Sequence, residues 1–251
     1  MKCENGRGMA EDDLLRPLLT RGERRTWDSL TSPMKIQEFL DRTPYSCEET
    51  YRSPFRVLRE KQAHCFDGAV FAAAALRRLG FPPVILEMIP NDRDDEHLLA
   101  IYRNEGYWGA VAQSNFVGLR YREPVYRTLR ELVMSYFEPY YNVKRERTLR
   151  GYTLPLNLRS FDRFRWQVED KAMDRISNRL DEMEKRIVIS SHLRRKLTPV
   201  DLRSYQAGLL GAEERGLFQP DGKKANEQIP RGNFPAAILK RPERPHNSAV
   251  R

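Results

Sequence analysis

The sequence predicts an α+β fold in which one helix lies on an antiparallel sheet, and three stretches carry that expectation. Residues 65–79, containing AVFAAAALRRL, are rich in strong helix formers and nearly free of polar groups before Arg77. A helix apolar on most sides is a buried helix. Val84, Ile85, Leu86 and Met88 read as a buried strand. Residues 97–102 and 107–112 flank Asn104-Glu105-Gly106, a hairpin whose glycine supplies the turn. A helix followed by antiparallel strands packs its apolar surface on the sheet.

Taken in order, residues 1–30 mix charges with few periodic apolar positions and read as a flexible N-terminal arm. Ser32-Pro33 starts a short helix, serine as cap and proline at the first helical position. Ile36, Phe39 and Leu40 share one of its faces, and Thr43-Pro44 ends it. Ser53-Pro54 repeats the signal, with Phe55, Val57 and Leu58 apolar and closure expected near Lys61. Gly80 suits a left-handed position after the long helix, and Pro82-Pro83 forbids its continuation. Beyond the hairpin, Leu129, Leu132, Val133 and Tyr136 place a helix within 128–137, completing a core over 31–142.

From Val143 the texture changes. RTLRGYTLPLNLRSF reads as one or two strand pieces or a wrapping loop. Trp166, Met173, Ile176, Leu180, Met183 and Ile187 give a helical pattern across 164–189, and 197–210 hold one more short helix. Residues 143–218 are therefore expected as a basic, mainly helical C-terminal extension. Residues 219–251, rich in Pro, Gly, Lys and Arg, read as a disordered tail. No internal repeat is found.

With 40% apolar and 31% charged residues, 251 residues suffice for one core of ordinary size. No apolar run approaches the roughly 20 residues that cross a bilayer, and acidic residues stand where a secretory leader is apolar. Cys3, Cys47 and Cys65 do not suggest a disulfide framework, so a cytoplasmic chain with reduced thiols is expected. The net charge of +9 is uneven: residues 1–140 hold 20 Lys and Arg against 21 Asp and Glu, and the remainder 24 against 14. The basic C-terminal part leaves contact with nucleic acid or another polyanion open, although no nucleic-acid motif is present.

The chemistry gathers between residues 62 and 115. Cys65 heads the long helix, where unpaired N–H groups and the helix dipole favour a thiolate and can hold an oxyanion. His97 opens a strand that aims its ring inward, whereas His192 and His246 lie in basic segments and His64 adjoins Cys65. Asp92-Arg93-Asp94-Asp95-Glu96 beside His97 also permits a metal reading, weakened because consecutive residues of an extended chain point opposite ways. No metal or cofactor is expected. Asn115 is the first choice to orient His97, and Gln113 the second. Arg120 and Tyr121 either line a groove or form an ordinary connection, and Tyr136, Tyr140 and Tyr141 read as packing.

These residues carry a resemblance. Cys65, Asp67, Ala69, Leu76-Arg77, Leu79-Gly80 and Pro82, then His97, Gly106 and Trp108, resemble the core of the transglutaminase-like fold of the papain-related superfamily, over about residues 60–115. The resemblance implies a cysteine enzyme acting on a peptide, amide or thioester by acyl transfer or hydrolysis through Cys65, His97 and Asn115. That family usually places an aspartate where Ala112 stands. A noncatalytic binding module on the same fold is the alternative.

Overall fold

The long helix lies at the centre of the computed structural model, which describes residues 13–48 and 50–220. Before it come α1 (Arg21–Ser29), α2 (Pro33–Asp41) and α3 (Pro54–Glu60). The region expected as an arm is thus structured from Asp13 onward. Leu15, Leu19, Trp27 and Leu30 are buried in the main core, and Thr20 and Glu23 form a reciprocal capping box at the start of α1. Residues 1–12 lie outside the described residues. Ser32 caps α2 through Lys35 N–H at 3.2 Å. Ser53 precedes Pro54 as expected, but its hydroxyl donates to the Val168 carbonyl instead of capping α3.

The long helix is α4 (Cys65–Arg78), with every residue from Phe66 to Leu76 buried. Its alanines allow close approach to the sheet. That sheet is formed by β1 (Val84–Ile89), β2 (His97–Asn104), β3 (Tyr107–Val111) and β4 (Arg122–Tyr126), continued after α5 (Leu129–Met134) by β5 (Gly151–Thr153) and β6 (Leu156–Asn157). Beyond α6 (Lys171–Asp181) comes β7 (Lys185–Ile187), then α7 (Ser191–Arg194) and α8 (Leu202–Gly208). The strand order is β4-β3-β2-β1-β5-β7, with β6 also on β1, and all pairings between strands are antiparallel. This is the α+β architecture that the helix and hairpin signals predict. No described helix is long and apolar enough to cross a membrane.

Strand alternation sends side chains to two faces. Ile85, Leu98, Ala100, Tyr102 and Val111 meet α4 in one core cluster. Leu86, Met88, Leu99, Ile101, Ala110 and Ala112 meet Leu132, Val133, Tyr136 and Tyr140 in the other. Residues 143–218 are not an appendage to this arrangement. Both β5 and β6 pair with β1, and Leu158, Phe161, Trp166, Met173, Ile176 and Leu180 pack in the α4 cluster. The single helix expected across 164–189 is interrupted: Arg165 adopts a left-handed backbone at φ 52°, α6 covers only Lys171–Asp181, and β7 follows. Met173, Ile176 and Leu180 lie in α6 and Ile187 in β7, while Trp166 and Met183 lie in the turns beside α6. Of the tail expected over 219–251, residues 221–251 lie outside the described residues.

Candidate functional site

Cys65 sits at the first position of α4 because His64 ends an extended segment and caps the helix. His64 Nδ1 accepts from the N–H of Phe66 at 3.1 Å and of Asp67 at 3.5 Å. Burial, with Arg52 nearby, pushes the His64 imidazole down to about 4, so the cap is neutral. Behind it Asp67 accepts from the Arg52 N–H at 2.8 Å. The N–H of Cys65 itself donates to the Tyr45 hydroxyl.

Around the thiol, Sγ donates to the Glu96 carbonyl at 3.7 Å, and the Tyr45 hydroxyl also hydrogen-bonds it. Tyr45 is brought there by a bridge between its own segment and Ala63. Burial pushes the Cys65 thiol up to about 12, with Asp95 and Asp67 adding, against the stabilising Tyr45 hydroxyl and Phe66 N–H. The expectation that the helix start lowers this pKa is therefore not met in the resting structure. Desolvation and two carboxylates outweigh the helix terminus.

His97 pairs with Met88 across β1 and β2 and shares the face of Leu99, away from α4. It reaches the same cavity as Cys65 because the thiol lies beyond the strand's first residue, beside Glu96. Its Nε2 lies 2.8 Å from the Leu119 carbonyl oxygen. A carbonyl only accepts, so Nε2 carries the hydrogen and Nδ1 keeps a lone pair. Burial pushes the ring down to about 4 against the opposing Leu119 carbonyl, which keeps the imidazole neutral. Tyr140 packs edge-on against it at 6.5 Å between ring centres, and the Tyr140 hydroxyl donates to the Asp95 carbonyl at 2.8 Å.

The cavity between these groups measures about 50 Å³ and is lined by Cys65, His97, Tyr45, Asn115, Tyr140 and Phe218, among others. Cys65, His97 and Asn115 are thus brought together, but Asn115 does not hold the ring. Its amide pairs with the main chain of Glu213, Nδ2 donating to the carbonyl at 3.1 Å and Oδ1 accepting from the N–H at 2.9 Å. Gln113, the second choice, turns the other way and donates to the Thr43 carbonyl at 2.9 Å. The orienting group that sequence reasoning missed is the Leu119 carbonyl. No side chain signals it.

Arg120 donates to the Ser114 carbonyl and pairs with Asp41, while Tyr121 bonds Tyr102, and neither lines the cavity. Tyr136, Tyr140 and Tyr141 are all buried. Asp94, from the loop considered for a metal, bonds the Thr148 hydroxyl at 2.5 Å. Among the described residues, no cluster of three or more His, Cys, Asp or Glu is arranged to hold a metal ion.

No protein-family model and no curated protein matches the chain. Solved structures that it resembles include LapG of Legionella pneumophila, at a TM-score of 0.31 and 13% identity, covering 42% of this chain and 70% of that one. EGTA-treated LapG of the same organism gives a TM-score of 0.35 and 14% identity, over 66% of this chain and 96% of the other. The likeness is distant and carries no information about a reaction or a site.

Proposed function

We propose that the chain is a cysteine enzyme of the transglutaminase-like kind, acting on an acyl group held as an amide or thioester. The observation that carries this reading is the shared cavity, onto which a thiol at a helix start and a neutral imidazole of fixed tautomer both open. Cys65 Sγ forms the bond to the acyl carbon, and its proton passes to His97 Nδ1. The C–N or C–S bond then breaks and the leaving amine or thiol takes that proton. The Cys65 N–H, which the Tyr45 hydroxyl accepts at rest, donates to the developing oxyanion once substrate takes that place. Water completes a hydrolysis, and an amine completes a transfer. A Cys–His pair with a main-chain orienter stands in for the Cys–His–Asn set expected from sequence.

A second reading has its own support. The resting thiol bonds Glu96 rather than an imidazole, burial pushes it up to about 12, and Ala112 stands where the resembled family has an acid. These features favour a noncatalytic binding module.

Incubation with an activated ester or thioester, followed by peptide mass spectrometry, separates the two. The enzyme reading expects an acyl adduct on Cys65 that forms about 10²- to 10⁴-fold more slowly in His97→Ala. Equal acylation of both proteins, or adducts on the exposed Cys47 alone, would establish the binding module.

A further inference from the structure

One side of the cavity that holds the thiol is closed by a segment of the chain itself. After α8 the backbone returns over the cavity as an extended residue, Glu213, a tight 3-10 turn over Glu214–Gly216, and a second extended residue, Leu217. Asn115, buried in the cavity wall, makes both of its bonds to Glu213, one to the N–H and one to the carbonyl. A carboxamide used in this way reads a peptide main chain whatever side chain it bears. Three positions on, Gly216 lies so close that a Cβ there would come within 2.9 Å of both Asn115 Nδ2 and Tyr45 Cδ1. Gly216 and Phe218 complete the cavity lining.

The hold on this strap is slight. Glu214, Arg215 and Phe218 are exposed and Leu217 alone of residues 213–218 is buried. The bonds from Gly216 N–H to the Glu213 carbonyl and from Leu217 N–H to the Glu214 carbonyl, 3.0 and 3.2 Å, are internal to the turn.

We infer that the groove above Cys65 is a peptide-binding subsite read by Asn115, with residues 213–218 as its resident occupant. A peptide supplied from outside takes the same two bonds and displaces the strap. The ligand is a main chain with a residue free of side chain three positions after the clamped one. This deepens the proposed acyl chemistry, since the displaced strap opens the nucleophile to a peptide substrate.

Alkylation of Cys65 by iodoacetamide in the full chain, followed by mass spectrometry, tests this. Gly216→Leu, which cannot seat, and Phe218→Ser, which adds no bulk, should each speed labelling at least about tenfold as the thiol is rehydrated. Residues 211–219 added as a free peptide should slow labelling of the Gly216→Leu protein saturably, and the same peptide carrying Gly216→Leu should not. Unchanged labelling in both variants, or equal protection by the two peptides, overturns the inference. Should Gly216→Leu lose its fold by circular dichroism, Phe218→Ser carries both arms. Alkylation needs only an accessible thiol, so failure of the acyl-transfer reading would leave these results standing.

Discussion

Glu87 shows what a single buried group does to the pH dependence of this fold. It lies opposite Leu98 on the α4 face of β1, and burial, with Glu96 adding, raises its carboxyl to about 7. The folded chain therefore holds this proton to higher pH than the unfolded chain, whose carboxyl titrates near 4.5. The resulting stability is full below pH 4.5 and is lost as pH rises through about 7. Glu87→Gln should remove that loss. Relative to the native sequence the variant should gain about 3 kcal/mol between pH 4.5 and pH 8, read from urea unfolding at the two pH values. At this scale the positions of Cys65 and His97 could be read from sequence, because a helix start and a strand start are written in side chains. The partner of His97 could not, because every residue has a carbonyl. The same limit hides Tyr45, placed only by its bridge to Ala63. Asn115 was visible as a polar residue after β3, but not its bonds to a residue 98 positions away.

Among the elements, α4 leaves no room for added bulk at Gly68. Gly68 faces Gln113, and a Cβ there would collide with the Gln113 Cβ. Alanine is the better helix former by about 1 kcal/mol, yet Gly68→Ala should destabilise the chain by about 1–3 kcal/mol through overpacking. A lower urea midpoint with an unchanged slope would show this, whereas a rise would mean that Gln113 yields cheaply. The helix was plain in the sequence because its signals are local: Cys65 to Arg78 uninterrupted, then Gly80 at φ 91° and two prolines. The stretch 164–189 does not form one helix, because the left-handed Arg165 breaks it at the start and a turn separates α6 from β7. The start of α1 is written locally as well, since Thr20 and Glu23 have capping-box spacing.

Over the whole molecule, the sheet does not respect the boundary that composition suggested near residue 142. One edge of β1 is completed by the nearby β2, and the other by β5 and β6, over sixty residues later in the chain. Composition registers charge, not pairing across such separations, so the strand pieces expected within 147–161 could not be joined to β1 from sequence. A chain ending at Asn142 should accordingly lack a cooperative unfolding transition, having lost Leu158, Phe161, Trp166, Met173, Ile176 and Leu180 from the α4 cluster. A chain ending at Pro220 should unfold cooperatively at nearly the native midpoint. Differential scanning calorimetry of the two distinguishes them, and a sharp transition in the shorter chain would restore 31–142 as an independent unit.

The strap over Cys65 also gives the site a history during synthesis. Asn115 is made 98 residues before the Glu213 that occupies it. At about 5–20 residues per second a ribosome needs roughly 5–20 s to cover that interval. Every nascent chain therefore passes through a stage in which Cys65 has been translated and the strap has not. A message cut short between the two codons yields a polypeptide that never acquires the strap.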